Sequence, residues 1–182
     1  MIPLKGGSRH CPDLMISMSS RLYILIGAHC WGALKKCRVA DAVKIIKTWS
    51  NGWATSSRYH EGVLLPCVFG CNCIDKLEHY FQCPYFFALW TFLVGNVSSD
   101  PLERWGLIRP EPDAFLQIVC VFCGYHAIRR KFQRKSELFV NNQNTLTGPQ
   151  LRVAWTVFAD AFCAEAREVK FIAAVASQSP VL

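Results

Sequence analysis

The sequence predicts a mainly α fold: a helical domain with a compact cysteine and histidine knuckle embedded in it. Three observations predict it. Apolar residues recur at helical spacing in three stretches, Arg38 to Trp53, Ala114 to Lys135, and the segment after Pro149. Breaks fall where such helices must start or stop, at Pro84, at Pro149 and across Asn141 to Gly148. Between the first two stretches lie Cys67, Cys71, His79 and Cys83, two close pairs of metal-type ligands. At 182 residues the chain suits one domain or two small ones. It is 52% hydrophobic and only 18% charged, so most of it should fold rather than stay disordered.

Residues 1–33 read as a loosely ordered arm followed by an apolar segment. Leu22 to Leu34 is uncharged but only 13 residues long, too short for a spanning helix of about 20. It contains His29 and Cys30 and starts late, which argues against a secretion signal. Neither a membrane role nor export is therefore expected.

Residues 34–95 read as a basic helix plus a metal-binding region. Val39, Val43, Ile46, Trp49 and Trp53 form the expected buried stripe, which leaves Lys44 and Lys47 on the remaining surface. The loop that follows carries Arg58 among hydroxyl residues. Those groups suit phosphate or sugar contacts, and equally suit an ordinary solvated loop.

The knuckle spans Leu65 to Trp90. Cys67 and Cys71 form a C-x3-C pair, and His79 and Cys83 an H-x3-C pair. Each pair can grip a metal from one local turn, and the short connector closes the cage. Gly70 allows the turn between the first two thiols. Asp75 is expected to cap a short helix that carries His79 and Cys83 on one face. The ligand set is a CCHC-type structural zinc knuckle, with Zn2+ the expected cofactor and Cys73 a rival to Cys71 as second thiolate. Tyr85 to Val94 then reads as an aromatic helix packed over the metal.

Residues 96–113 read as a linker with three prolines, from which Trp105 and Leu107 can tuck back onto the core. Residues 114–182 read as a C-terminal helical region. Its first helix has Phe115, Ile118, Val119, Phe122, His126 and Ile128 on the apolar stripe. Cys120, Cys123 and His126 progress around that helix with no fourth ligand, so they read as core and not as a second metal site. The helix ends in Arg129, Arg130, Lys131, Arg134 and Lys135, which suits a phosphate-binding or nuclear-import patch, or a solvated helix end. The last helix has Leu151, Trp155, Phe158, Phe162, Val169 and Ile172 on one face.

Net charge is +7, and a near-neutral knuckle segment is flanked by two basic ones. Polyanions, RNA or DNA first, are the expected partners through Lys44, Lys47, Arg58, Arg129, Arg130, Lys131, Arg134 and Lys135. Ten unevenly spaced cysteines with a histidine interleaved point to metal binding in a reducing compartment, nuclear or cytoplasmic, and not to a disulfide framework.

LPCVFGC, then DKLEHYFQCP, then an aromatic run ending in Trp90, resembles the zinc-binding region that follows the polymerase domain of non-LTR retrotransposon reverse transcriptases. The preceding KTWSNGWATSSRYHE is similar to the helix and basic loop of that family. The resemblance covers Lys44 to Trp90, and this chain departs from the family's spacing in both pairs. It implies a nucleic-acid-binding accessory region detached from its polymerase. The polymerase itself is not encoded here, because its metal-binding aspartate pair has no counterpart among six scattered aspartates. No phosphate-cradling glycine loop or nucleophile–base spacing is present either, so no enzyme is expected. Two other readings stay open at this point: a helical protein–protein interaction module, and a decayed retroelement remnant.

Overall fold

The computed structural model describes residues 30–58, 65–71, 73–108, 110–132 and 148–169. Arg134, Lys135 and Ile172 lie outside the described residues, as does most of the N-terminal arm. Residues 30–34 are helical. After them come α1 (Val39–Trp49), α2 (Leu77–Tyr80), α3 (Pro84–Val94), α4 (Pro101–Arg104), α5 (Pro112–Phe132) and α6 (Gly148–Glu168). The only pairing of extended backbone among the described residues is the single bridge between Pro66 and Ile74, which pinches the base of the knuckle. No helix among the described residues is long and apolar enough to cross a membrane.

The starts of α3 and α4 follow from their sequences. Proline occupies the first turn of each, where a missing N–H costs nothing. Asp100 accepts from the Leu102 amide at the start of α4. At the start of α3 the acceptor is a thiol, the Sγ of Cys83.

Helix α5 packs most extensively on α6 and next on α1. The α5–α6 crossing is close because Gly124 has no side chain. A Cβ there would stand 2.6 Å from Cδ2 of buried Phe158. Gly124→Val should therefore destabilise the protein by about 1–3 kcal/mol through overpacking. Urea unfolding reads this, and an unchanged midpoint would contradict the close crossing.

The knuckle, α3 and α4 cover the remaining side of α5 and α6 with an aromatic core. Trp53, Trp90 and Trp105 have no exposed surface. Trp105 stacks on Phe81 with centroids 4.6 Å apart and meets Trp53 edge-on at 5.7 Å. Its carbonyl accepts from Trp49 Nε1 at 2.9 Å. Residues 96–113 are thus not a free linker. They deliver Trp105 and Leu107 to the core, as their apolar content allowed.

Helix α1 lies differently from its expected orientation. Its buried residues are Asp41, Ile45, Thr48 and Trp49, while Val39, Val43 and Ile46 face outward. Two polar contacts turn the helix this way. Thr48 Oγ1 accepts from Trp53 Nε1 at 2.9 Å. Asp41 is held by Arg38 Nε at 2.6 Å.

Candidate metal centre

The C-x3-C turn is built by backbone bonds. The Gly70 amide donates to the Cys67 carbonyl at 3.1 Å, and Gly70 takes φ +92°, a conformation that side-chain-bearing residues rarely adopt. The Cys67 amide donates to the Cys73 carbonyl at 2.7 Å, closing the loop on itself. His79 rides on α2. Cys83 does not share that helix, because α2 ends at Tyr80. It sits instead at the N-terminus of α3, where its Sγ accepts from the Phe86 amide at 3.5 Å.

Cys67, Cys71, His79 and Cys83 are all buried, with their ligand atoms within 4.8 Å of one another, and could hold a metal ion. Cys83 Sγ lies 3.8 Å from Sγ of both Cys67 and Cys71. His79 Nε2 lies 2.9 Å from Cys71 Sγ. A tetrahedral centre with metal–sulfur bonds of about 2.3 Å has edges of about 3.8 Å, so the two sulfur–sulfur distances to Cys83 fit one cation. A disulfide would need about 2.05 Å. Cys71 is the second thiol of the group, while Cys73 stands half-buried outside it and contributes only its carbonyl.

The chemistry of these donors also fits a cation. Burial pushes the Cys67 and Cys83 thiols well above their usual range. Cys71 is raised first by its hydrogen bond with Cys67 and then by burial. Burial, followed by the charge of Lys76, pushes His79 down to about 4, which keeps the imidazole neutral as a ligand must be. Three thiolates could not persist in this dry site alone, and a dication compensates them directly. Amides of Phe69 and Phe86 donate to the Cys67 and Cys83 sulfurs, the kind of support that orients metal ligands.

Asp75 is not a helix cap, and the sequence did not reveal its role. It is completely buried beside the knuckle. One carboxylate oxygen accepts from Tyr80 Oη at 2.5 Å and from Tyr125 Oη at 3.0 Å. The other accepts from the Ser56 amide at 2.9 Å and faces Arg129 Nη1 at 3.4 Å. Burial raises the carboxyl, opposed by these partners. Burial and the Asp75 charge push both tyrosines well above their usual range, so they remain donors. This one residue joins the knuckle, the loop after α1, and α5.

The basic residues expected on the surface divide into three groups. Arg129 is consumed by Asp75 and is 3% exposed, so it cannot face a ligand. Lys44 bridges α1 to α6 through Glu165 Oε1 at 2.6 Å. Lys47, Arg58, Arg130 and Lys131 are exposed. His126 is pushed down to about 4 first by burial and then by the charges of Arg130, Lys47, Arg129 and Arg58, so three of these four act on it electrostatically. Cys120 is buried and Cys123 donates to Glu165 Oε2 at 3.2 Å, so neither belongs to the Cys67–Cys83 metal group. No family model, curated protein or solved structure matches the chain.

Proposed function

We propose that the chain is a non-catalytic nucleic-acid-binding module whose knuckle carries one structural zinc. The set of three thiols and one imidazole favours zinc, and four protein ligands leave no open position for catalysis. The observation that carries the nucleic-acid reading is that Lys47, Arg58 and Arg130, from three separate parts of the chain, are all exposed and all lower His126 by their charge. Asp75 supports it physically. By binding Ser56 two residues before Arg58, and Arg129 next to Arg130, it ties two of those parts to the knuckle. The metal thus fixes a phosphate-facing surface without touching the ligand. The resemblance to the region after a retrotransposon polymerase agrees with this reading and leaves RNA and DNA equally open.

Three phosphate contacts should give a slope of about −2 for log K against log salt on single strands, and about −3 on duplex DNA. Fluorescence anisotropy with a labelled RNA and a labelled DNA between 50 and 300 mM salt, on the order of the usual range, measures it. Affinity indifferent to salt would favour a second reading, a protein–protein module. The specific observation behind that reading is the exposed apolar stripe Val39, Val43 and Ile46 on α1.

A further inference from the structure

We propose that the outward face of α1 is a docking seam for an amphipathic helix of a partner protein, one with aliphatic residues along its stripe and carboxylates along its edge. The proposal stands apart from the nucleic-acid reading. It gives the protein–protein reading a named surface and a kind of partner.

The seam follows from the way α1 is turned. Asp41, Ile45, Thr48 and Trp49 go inward, which leaves Val39, Val43 and Ile46 82%, 43% and 39% exposed. These three are spaced by four residues and then three, so they form one row along the helix. That is the spacing of one side of a two-helix seam, where each side chain enters a gap between residues of the facing helix. Ala40 and Ala42 border the row and leave room for a second backbone. Elsewhere Ile74, Phe92, Ile108 and Val153 are exposed singly on their own elements. Single exposed apolar side chains are ordinary on a protein surface, whereas a contiguous row marks an interaction site.

Charge selects the occupant. Between residues 30 and 58 the only carboxylate is Asp41, which is 2% exposed. Glu165 and Glu168 of α6 also reach α1, and they bond Arg38 and Lys44 on its inward flank. Lys47 lies one turn beyond Val43, and Lys35 and Lys36 stand just before the helix. All three are exposed and form no ion pair with the described residues. The outward face is therefore apolar along its row and cationic at its rim. A second copy of this chain would set lysine against lysine. A nucleic acid would take the lysines and leave the row in water. A membrane surface draws tryptophan, phenylalanine or leucine from a helix that lies in it, and α1 exposes none of them. An acidic amphipathic helix answers both features, covering the row and setting its edge carboxylates beside Lys47.

The test uses the whole chain and a fluorescent synthetic peptide of about three heptads, with leucine at a and d and glutamate at e and g. A twin peptide carries lysine in place of glutamate. Fluorescence anisotropy should show binding of the glutamate peptide and none of the twin. Val43→Ser and Ile46→Ser should each weaken the glutamate peptide by about tenfold or more. Val153→Ser, at an equally exposed valine of α6, should change nothing. Lys47→Glu should weaken the glutamate peptide by about two- to fivefold and narrow the difference between the twins. No binding of the glutamate peptide, equal binding of both peptides, or binding unchanged in Val43→Ser and Ile46→Ser would overturn the proposal. Binding to phosphatidylserine vesicles that is lost in Ile46→Ser would replace the partner helix with a membrane. Self-association in sedimentation that is lost in the same variant would replace it with a second copy. Neither serine variant alters a cation, so RNA affinity should be the same in both, and either proposal can fail while the other stands.

Discussion

Removing the proposed zinc from the reduced protein should unfold the knuckle and most of the aromatic core with it. Structural zinc contributes apparent binding energies of about 10–16 kcal/mol in small zinc domains, against a total stability of about 5–15 kcal/mol for ordinary proteins. The loss should spread, because the knuckle is not an appendage. Phe69, between the first two cysteines, stacks on Phe86 at 4.7 Å and meets Phe158 of α6 at 5.4 Å. Gly70 abuts Leu151 on the same helix. Cys83→Ala should fail to retain zinc and lose much of its helical circular dichroism and near-ultraviolet tryptophan signal. Cys71→Ala should behave the same way. Cys73→Ala should keep both metal and fold, since its thiol lies outside the ligand group. A wild-type protein that keeps its near-ultraviolet spectrum after chelation would show that the metal is dispensable.

Asp75→Ala should cost about 3–5 kcal/mol, the usual penalty for breaking a buried ion pair and leaving its partner charged. The substitution leaves the Arg129 guanidinium in a site that is 4% exposed, strips the Tyr80 hydroxyl of its acceptor and leaves Tyr125 only the Ala54 carbonyl at 3.2 Å. Nor can water readily replace the carboxylate, because Tyr80 and Tyr125 are buried, at 1% and 0% exposure. Combining Asp75→Ala with Arg129→Met should recover part of the loss, as replacing both members of a buried pair by apolar groups often does. Urea midpoints of the two single variants and the double variant measure the coupling. A cost below about 1 kcal/mol for Asp75→Ala would mean that the network does not join α5 to the knuckle.

The grouping of Cys67, Cys71, His79 and Cys83 was legible because its chemistry is local. Four residues at short spacing need only two turns to meet, and Gly70 announces one of those turns. The helices of the C-terminal half were legible from period and punctuation, and α5 starts at Pro112, close to its expected position. The remaining features depend on which elements cross, and one-dimensional periodicity does not carry that. Arg129 and Arg130 are neighbours in a basic run, yet α5 turns one into the core and the other toward solvent. Lys44 reads as a surface cation until Glu165, 121 residues later, comes within 2.6 Å. Asp75 looked like a cap because a short helix follows it. Its four partners come from residues 56, 80, 125 and 129, and only Tyr80 is near in sequence. Val39, Val43 and Ile46 made a better apolar stripe on paper than Asp41, Ile45 and Thr48, yet the latter face is the buried one, with Thr48 bonded to Trp53 and Asp41 to Arg38.

On the proposed reading, a fully protein-ligated zinc holds the knuckle and, through Asp75, the phosphate-facing surface. X-ray absorption at the zinc edge, on reduced protein purified without added metal, tests it most directly. The predicted result is one zinc per chain with three sulfurs near 2.3 Å and one nitrogen near 2.0 Å, values set by about the usual bond lengths. A metal-free protein, or a zinc with an oxygen ligand in place of one sulfur, would contradict it.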